Sequence, residues 1–226
     1  IYQTGLLEVK RIHTKIDSIK NDLCFKGDLN SFFQFMKTDK QFMPFKTSEE
    51  VLNAYRSIQG RIEPNLKKMF NHVPKTKFEI RQTQAFRAAT ASAEYNSGAS
   101  DGSRPGIFYV PILDATKFNV TTGMEGLFLH EAIPGHHYQI SLQMENDKLP
   151  RFRRYSTYGA YVEGWGLYAE RLGKELGLYT DPYQYIGALS KEIHRSIRLV
   201  VDAEMKRKNM TRDEAIKYLM DNMPVS

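Results

Sequence analysis

Apolar residues recur at helical spacing along most of the chain. Ile12, Ile16, Ile19 and Leu23 follow one another at intervals of four, three and four with lysines between them, which predicts an amphipathic helix over residues 6–23. Gly27-Asp28 interrupts the pattern, and Asp28 or Asn30 can cap a short helix carrying Phe32, Phe33 and Met36. Thr47-Ser48-Glu49-Glu50 has the form of a capping box, with Thr47 accepting from the amide of Glu50 and Glu50 reaching back. Val51, Leu52, Tyr55, Ile58, Ile62, Leu66 and Met69 mark the buried stripe of the helix it opens, and Gly60 and Pro64 predict a bend in it.

After Asn71-His72-Val73-Pro74 the period changes. Lys77-Phe78-Glu79-Ile80-Arg81 alternates apolar and charged residues as a half-buried strand does. Residues 88–106, rich in Ala, Ser, Gly and Asn, read as a loop, and Ile107-Phe108-Tyr109-Val110 reads as a second short strand. The prolines beside it, Pro105 and Pro111, suit a sheet edge. Such an edge could pair with an extended peptide; the alternative is an ordinary hairpin. Past Thr121-Thr122-Gly123 the helical period returns and runs to about Glu145. It recurs over residues 156–176, ended by Gly177, and from the cap-and-proline start Asp181-Pro182 to about Lys208. A second capping box, Thr211-Arg212-Asp213-Glu214, opens a last helix through Ile216, Leu219 and Met220. The expected fold class is therefore mainly α with a small β-sheet (α+β). With no internal repeat or clear linker, the expectation is one domain over residues 1–226, with a helical scaffold over 1–75 and the sheet and chemistry-bearing helices over 76–226.

Composition agrees with an ordered globular chain, since 41% of the 226 residues are hydrophobic, enough for a real core. The formal charge of +6 comes from 32 basic and 26 acidic residues mixed along polar helix faces, a distribution that argues against a nucleic-acid partner. A single cysteine, Cys24, excludes an internal disulfide and a multi-cysteine zinc site, and leaves the compartment open. No run of 18 apolar residues predicts a membrane span, and Ile1-Tyr2-Gln3 does not begin a signal peptide. Because Met223-Pro224-Val225-Ser226 follows directly on a helical pattern, the chain is expected to be a fragment of a longer one.

The chemistry concentrates in Gly126-Leu127-Phe128-Leu129-His130-Glu131-Ala132-Ile133-Pro134-Gly135-His136-His137, where three of the six histidines fall within eight residues. A hydrolytic zinc takes three His or carboxylate ligands, keeps a fourth position for water and needs a base nearby. His130 supplies a ligand and Glu131 the general base. The usual second histidine, one turn on, is replaced by Pro134. His136 and His137 lie six and seven residues beyond His130, about 10 Å along a straight helix, too far for bonds of about 2 Å to one ion. The helix is therefore expected to break at Pro134-Gly135, bringing back His136 as the ligand, with His137 as the alternative.

Glu163, in Glu163-Gly164-Trp165-Gly166-Leu167-Tyr168-Ala169-Glu170, is the third candidate ligand, and Glu170, seven residues on, would orient a metal-bound imidazole. Tyr158, Tyr161, His194, Arg195 and Arg198 are candidates to stabilise an oxyanion. Arg198 could equally pair with Asp202 along one helix.

These blocks, with Arg104-Pro105-Gly106-Ile107-Phe108-Tyr109-Val110 and Arg198-Leu199-Val200-Val201-Asp202, resemble the bacterial DUF885 proteins, which are similar to gluzincin-type zinc metallopeptidases and distantly to the carboxypeptidase Taq group. The resemblance runs through residues 104–224. It implies a gluzincin-like helical scaffold with a small sheet, Zn2+ held by His130, a histidine after Gly135 and Glu163, Glu131 as base, and a peptide substrate. It also implies a longer chain that is often exported, periplasmic or lipid-anchored, of which residues 1–226 would be the C-terminal portion. The sequence departs from the family where a Thr-Gly-x-His run is usual, carrying Ala203-Glu204-Met205-Lys206 instead. Beside the enzyme stands the alternative of a non-catalytic metal- or peptide-binding domain of the same fold.

Overall fold

The computed structural model describes residues 1–223, so the Pro224-Val225-Ser226 ending lies outside the described residues. In chain order the helices are α1 (Tyr2–Asp22), α2 (Leu29–Thr38), α3 (Ser48–Leu66), α4 (Ala85–Ala88), α5 (Met124–Glu131), α6 (His136–Glu145), α7 (Arg151–Tyr155), α8 (Gly159–Arg171), α9 (Pro182–Lys206) and α10 (Arg212–Asn222). The strands are β1 (Phe78–Gln82), β2 (Glu94–Asn96) and β3 (Gly106–Val110), and the fold is mainly α with a small sheet. Among the described residues, no helix is long and apolar enough to cross a membrane.

The chain divides into two compact units that interleave along the sequence rather than meeting at residue 75. One comprises Ile1–Phe42, Asn119–Gly123 and the chain from Pro182; the other comprises Met43–Phe118 and Met124–Asp181. In the first, the stripe Ile12, Ile16 and Ile19 of α1 shares a core with Phe32, Phe33 and Met36 of α2 and with Ile186, Leu189, Ile193 and Ile197 of α9. The caps follow the sequence closely: Asp28 accepts from the Ser31 amide, and Thr211 and Glu214 complete a reciprocal capping box.

The second unit carries the sheet, and α3 belongs to it. Thr47 caps α3 as expected, but Glu50 reaches one residue further back than a regular box, accepting from the Lys46 amide at 2.6 Å. The sheet order is β1-β3-β2, with β1 parallel and β2 antiparallel to β3. The expectation that the Ile107 strand is a sheet edge is thus corrected. Pro105 and Pro111 stand just beyond its two ends, where neither removes a ladder donor, and its Phe108 is fully buried between neighbours on both sides. Tyr55 of α3 meets the Phe108 ring edge-on at 5.3 Å, and Phe128 of α5 packs on Phe108 at 6.2 Å, so the sheet fixes α5. The first turn of α5 is tied down by buried Glu125, which accepts from Arg61 of α3 at 2.5 Å and from the Tyr179 amide at 2.6 Å.

Two other expectations change. The segment expected to be a loop contains β2, three residues too polar to show an alternating pattern. The helix expected over residues 156–176 runs only over Gly159–Arg171; Gly177 does take a positive φ of 83°, but in the turn that follows.

Candidate metal centre

The helical period that runs through residue 131 is broken by Ala132-Ile133-Pro134-Gly135, with Ile133-Pro134 in cis, and resumes at His136. Gly135 is indispensable to the break: a Cβ there would drive into the backbone carbonyl oxygens of His130 and Leu129. Trp165 of α8 closes the bend from outside, its indole N–H donating to the Pro134 carbonyl at 2.7 Å. As a result the His130 and His136 rings stand 4.5 Å apart between centroids, nearly perpendicular, instead of two turns apart.

Of the two adjacent histidines, it is His136 that faces His130. His137 turns to the sheet, where its Nδ1 meets the Tyr95 hydroxyl at 2.9 Å and the Ser141 hydroxyl at 3.3 Å, and its ring lies 4.6 Å from that of Phe78.

α8 supplies the carboxylates. Glu163 Oε2 lies 3.4 Å from His130 Nε2, and its Oε1 lies 3.8 Å from His136 Nε2. Glu170, one face and two turns further on, takes the other side of His130, its Oε1 at 2.8 Å from Nδ1. Gly166 makes this approach possible, because the His130 ring occupies the space a side chain there would fill, with ring atoms 2.7–2.9 Å from an added Cβ. Donors arranged tetrahedrally on zinc at about 2.0–2.1 Å are separated by roughly 3.3 Å, so the distances of 3.4 and 3.8 Å leave these three residues close to what the ion requires.

Glu131 also comes within 4.8 Å of both imidazoles. Its carboxylate takes a hydrogen bond from the Tyr95 backbone amide of β2, whereas Glu163 reaches both Nε2 atoms.

Electrostatics separate these groups. Burial pushes the Glu131 carboxyl up to about 7, with the Glu163 and Glu94 charges adding to the effect and His130 opposing it. Burial depresses the His130 imidazole, but its hydrogen bond to Glu170 and the surrounding carboxylates outweigh that and raise it. His136 falls to about 4 through burial and the neighbouring His130 charge, and His137 to about 4 through burial. Both are thus neutral imidazoles, the form that binds metal. Glu163 is 63% exposed in its side chain, so solvent reaches the cluster from its side.

Of the oxyanion candidates, Tyr158 and Tyr161 lie in this unit and His194, Arg195 and Arg198 in the other. Tyr161 lies two residues before Glu163, roughly 160° around α8, and together with Tyr158 it lines an aromatic pocket of about 490 Å³ with Phe70, Tyr138 and Trp165. Arg198 and Arg195 belong to the first unit and line a pocket there with Ile1 and Asp202, while His194 sits on the same helix, α9, its pKa lowered by burial and by Arg198, Lys191 and Arg195. Sequence reasoning missed Tyr95, whose hydroxyl and amide connect β2 to His137 and Glu131. No periodic signal marks it, since it lies in a three-residue strand.

A family model described as "Bacterial protein of unknown function (DUF885)" matches residues 1–226. Among solved structures, a candidate lipoprotein from Colwellia psychrerythraea is similar over 100% of this chain, with a TM-score of 0.91 and 32% identity. The chain spans 39% of that protein's length. Comparison with curated proteins finds no match.

Proposed function

The chain belongs to the DUF885 family of bacterial proteins, and on that premise we propose that its second unit is the centre of a zinc-dependent peptide hydrolase. The observation that carries this reading is the convergence of His130 Nε2, His136 Nε2 and the Glu163 carboxylate at 3.4–3.8 Å across a break in one helix. These three would hold Zn2+. Bound there, the ion would supply Lewis acidity, polarising a carbonyl and lowering the pKa of water to about 7.

The remaining work falls to the chain's own groups. Glu131 is held by the Tyr95 amide beside the two imidazoles, and its carboxyl near neutrality suits the removal of a proton from the attacking water and its return to the departing amine. Glu170 orients His130 and fixes which nitrogen faces the cluster, because its carboxylate takes Nδ1. The edge strand β2, which supplies the Tyr95 amide, and the exposed side of Glu163 border the space left for an extended peptide. The lipoprotein relative supports an exported or lipid-anchored setting for the whole protein.

The departure at Ala203-Glu204-Met205-Lys206 favours a second reading, a metal- or peptide-binding domain without turnover. Incubating the zinc-loaded protein and its Glu131→Gln variant with a peptide library divides the two. The hydrolase reading expects cleavage by the wild type that the variant loses; cleavage unaffected by the substitution, or none by either, would replace it with the binding reading.

A further inference from the structure

We propose that Gln139 is the positioning residue for His136, its side-chain carbonyl accepting the Nδ1–H of that imidazole as Glu170 accepts from His130. The inference rests on the metal-site reading above. A metal-bound imidazole almost always donates its other N–H to a protein acceptor, which fixes the tautomer and aims the ring. His130 meets that need, with Nε2 toward the cluster and Nδ1 at 2.8 Å from Glu170. His136 presents Nε2 to Glu163, yet its Nδ1 is buried without a hydrogen-bond partner.

An acceptor with the complementary deficit sits one turn away. Gln139 is 7% exposed, and its Oε1 is likewise buried and unpartnered. Its orientation is not interchangeable, because Nε2 lies 3.3 Å from the Tyr161 carbonyl, an atom that can only accept, so the oxygen must be the free end. Residues three apart on a helix are neighbours, with Cβ atoms about 5–6 Å apart, and helical side chains lean toward the N-terminus, which carries Gln139 back over His136. Each orphan left unpaired bears the desolvation cost of a buried polar group. Pairing one donor with one acceptor removes both. The terminal torsion of a glutamine is soft, so the pair can close as His136 is engaged.

The test measures zinc affinity by competition with a chromophoric chelator, and imidazole ¹⁵N spectra of the metal-free protein, for the wild type, Gln139→Leu and Gln139→Glu. Thermal unfolding checks that each is folded. The proposal expects Gln139→Leu to weaken zinc binding roughly 10- to 100-fold. Gln139→Glu, which keeps the acceptor, should bind close to the wild-type value. In the wild-type spectra His136 should carry its proton on Nδ1, and the leucine variant should lose that preference. Wild-type affinity in Gln139→Leu would overturn the proposal. So would equal weakening by both variants, which would trace the effect to the lost Tyr161 contact. A wild type that binds no zinc would overturn the metal-site reading instead, and the ¹⁵N spectra would then decide the Gln139–His136 pair by themselves.

Discussion

Replacing Glu131 by Gln should stabilise the metal-free protein at alkaline pH while destroying the proposed base. The folded-state pKa of Glu131 is raised from 4.5 to about 7, chiefly by burial. Below pH 4.5 the carboxyl is protonated in both the folded and unfolded chain and costs nothing. As pH rises through 4.5 the unfolded chain ionises first, and the folded state loses stability until its own carboxyl ionises near 7. At about 1.4 kcal/mol per pH unit, the accumulated cost at pH 8 is roughly 3 kcal/mol. Glutamine removes the charge and keeps an oxygen for the Tyr95 amide. Urea unfolding in the presence of a chelator, at pH 4 and pH 8, would measure the gap. It should be near zero at pH 4 and about 2–3 kcal/mol in favour of Glu131→Gln at pH 8. Equal stabilities at pH 8, or a variant less stable there, would refute the argument that burial loads this carboxylate.

Other outcomes follow from the same geometry. His136 and His137 both fall from 6.5 to about 4 in the folded state, so the unfolded chain takes up their protons first. The metal-free protein should therefore lose stability as pH drops from 6.5 toward 4, by up to roughly 3 kcal/mol for each histidine, read from unfolding midpoints across that range. Tyr95→Phe removes the bond to His137 Nδ1 and should cost about 1 kcal/mol in urea unfolding, with zinc stoichiometry unchanged. Gly166→Ala forces the His130 ring aside and should weaken zinc binding at least about tenfold in chelator competition, whereas Gly164→Ala, with open space around it, should not.

Much of this arrangement is legible in the sequence because it is local. The Asp28, Thr47 and Thr211 caps, the stripes of α1 and α3, the start of α9, and the break enforced by Pro134-Gly135 each depend on residues within a turn or two of one another. Spacing alone could demand that a histidine past Gly135 return toward His130, but it could not choose between His136 and His137. That choice is made by Tyr95, Ser141 and Phe78, which claim the His137 ring. Strand order was likewise hidden, since β3 is made central by a partner only three residues long. Sequence offers Tyr158 and Tyr161 as oxyanion donors without placing them, and both line the pocket with Phe70, Tyr138 and Trp165.

Bound zinc is the deciding property of this site. Elemental analysis of protein purified without added metal, on the wild type and on Glu163→Ala, tests it most directly. One zinc per chain in the wild type and a marked loss in the variant is the result the geometry predicts. A wild type devoid of stoichiometric zinc, or a variant that retains it in full, would contradict the assignment of His130, His136 and Glu163 as ligands.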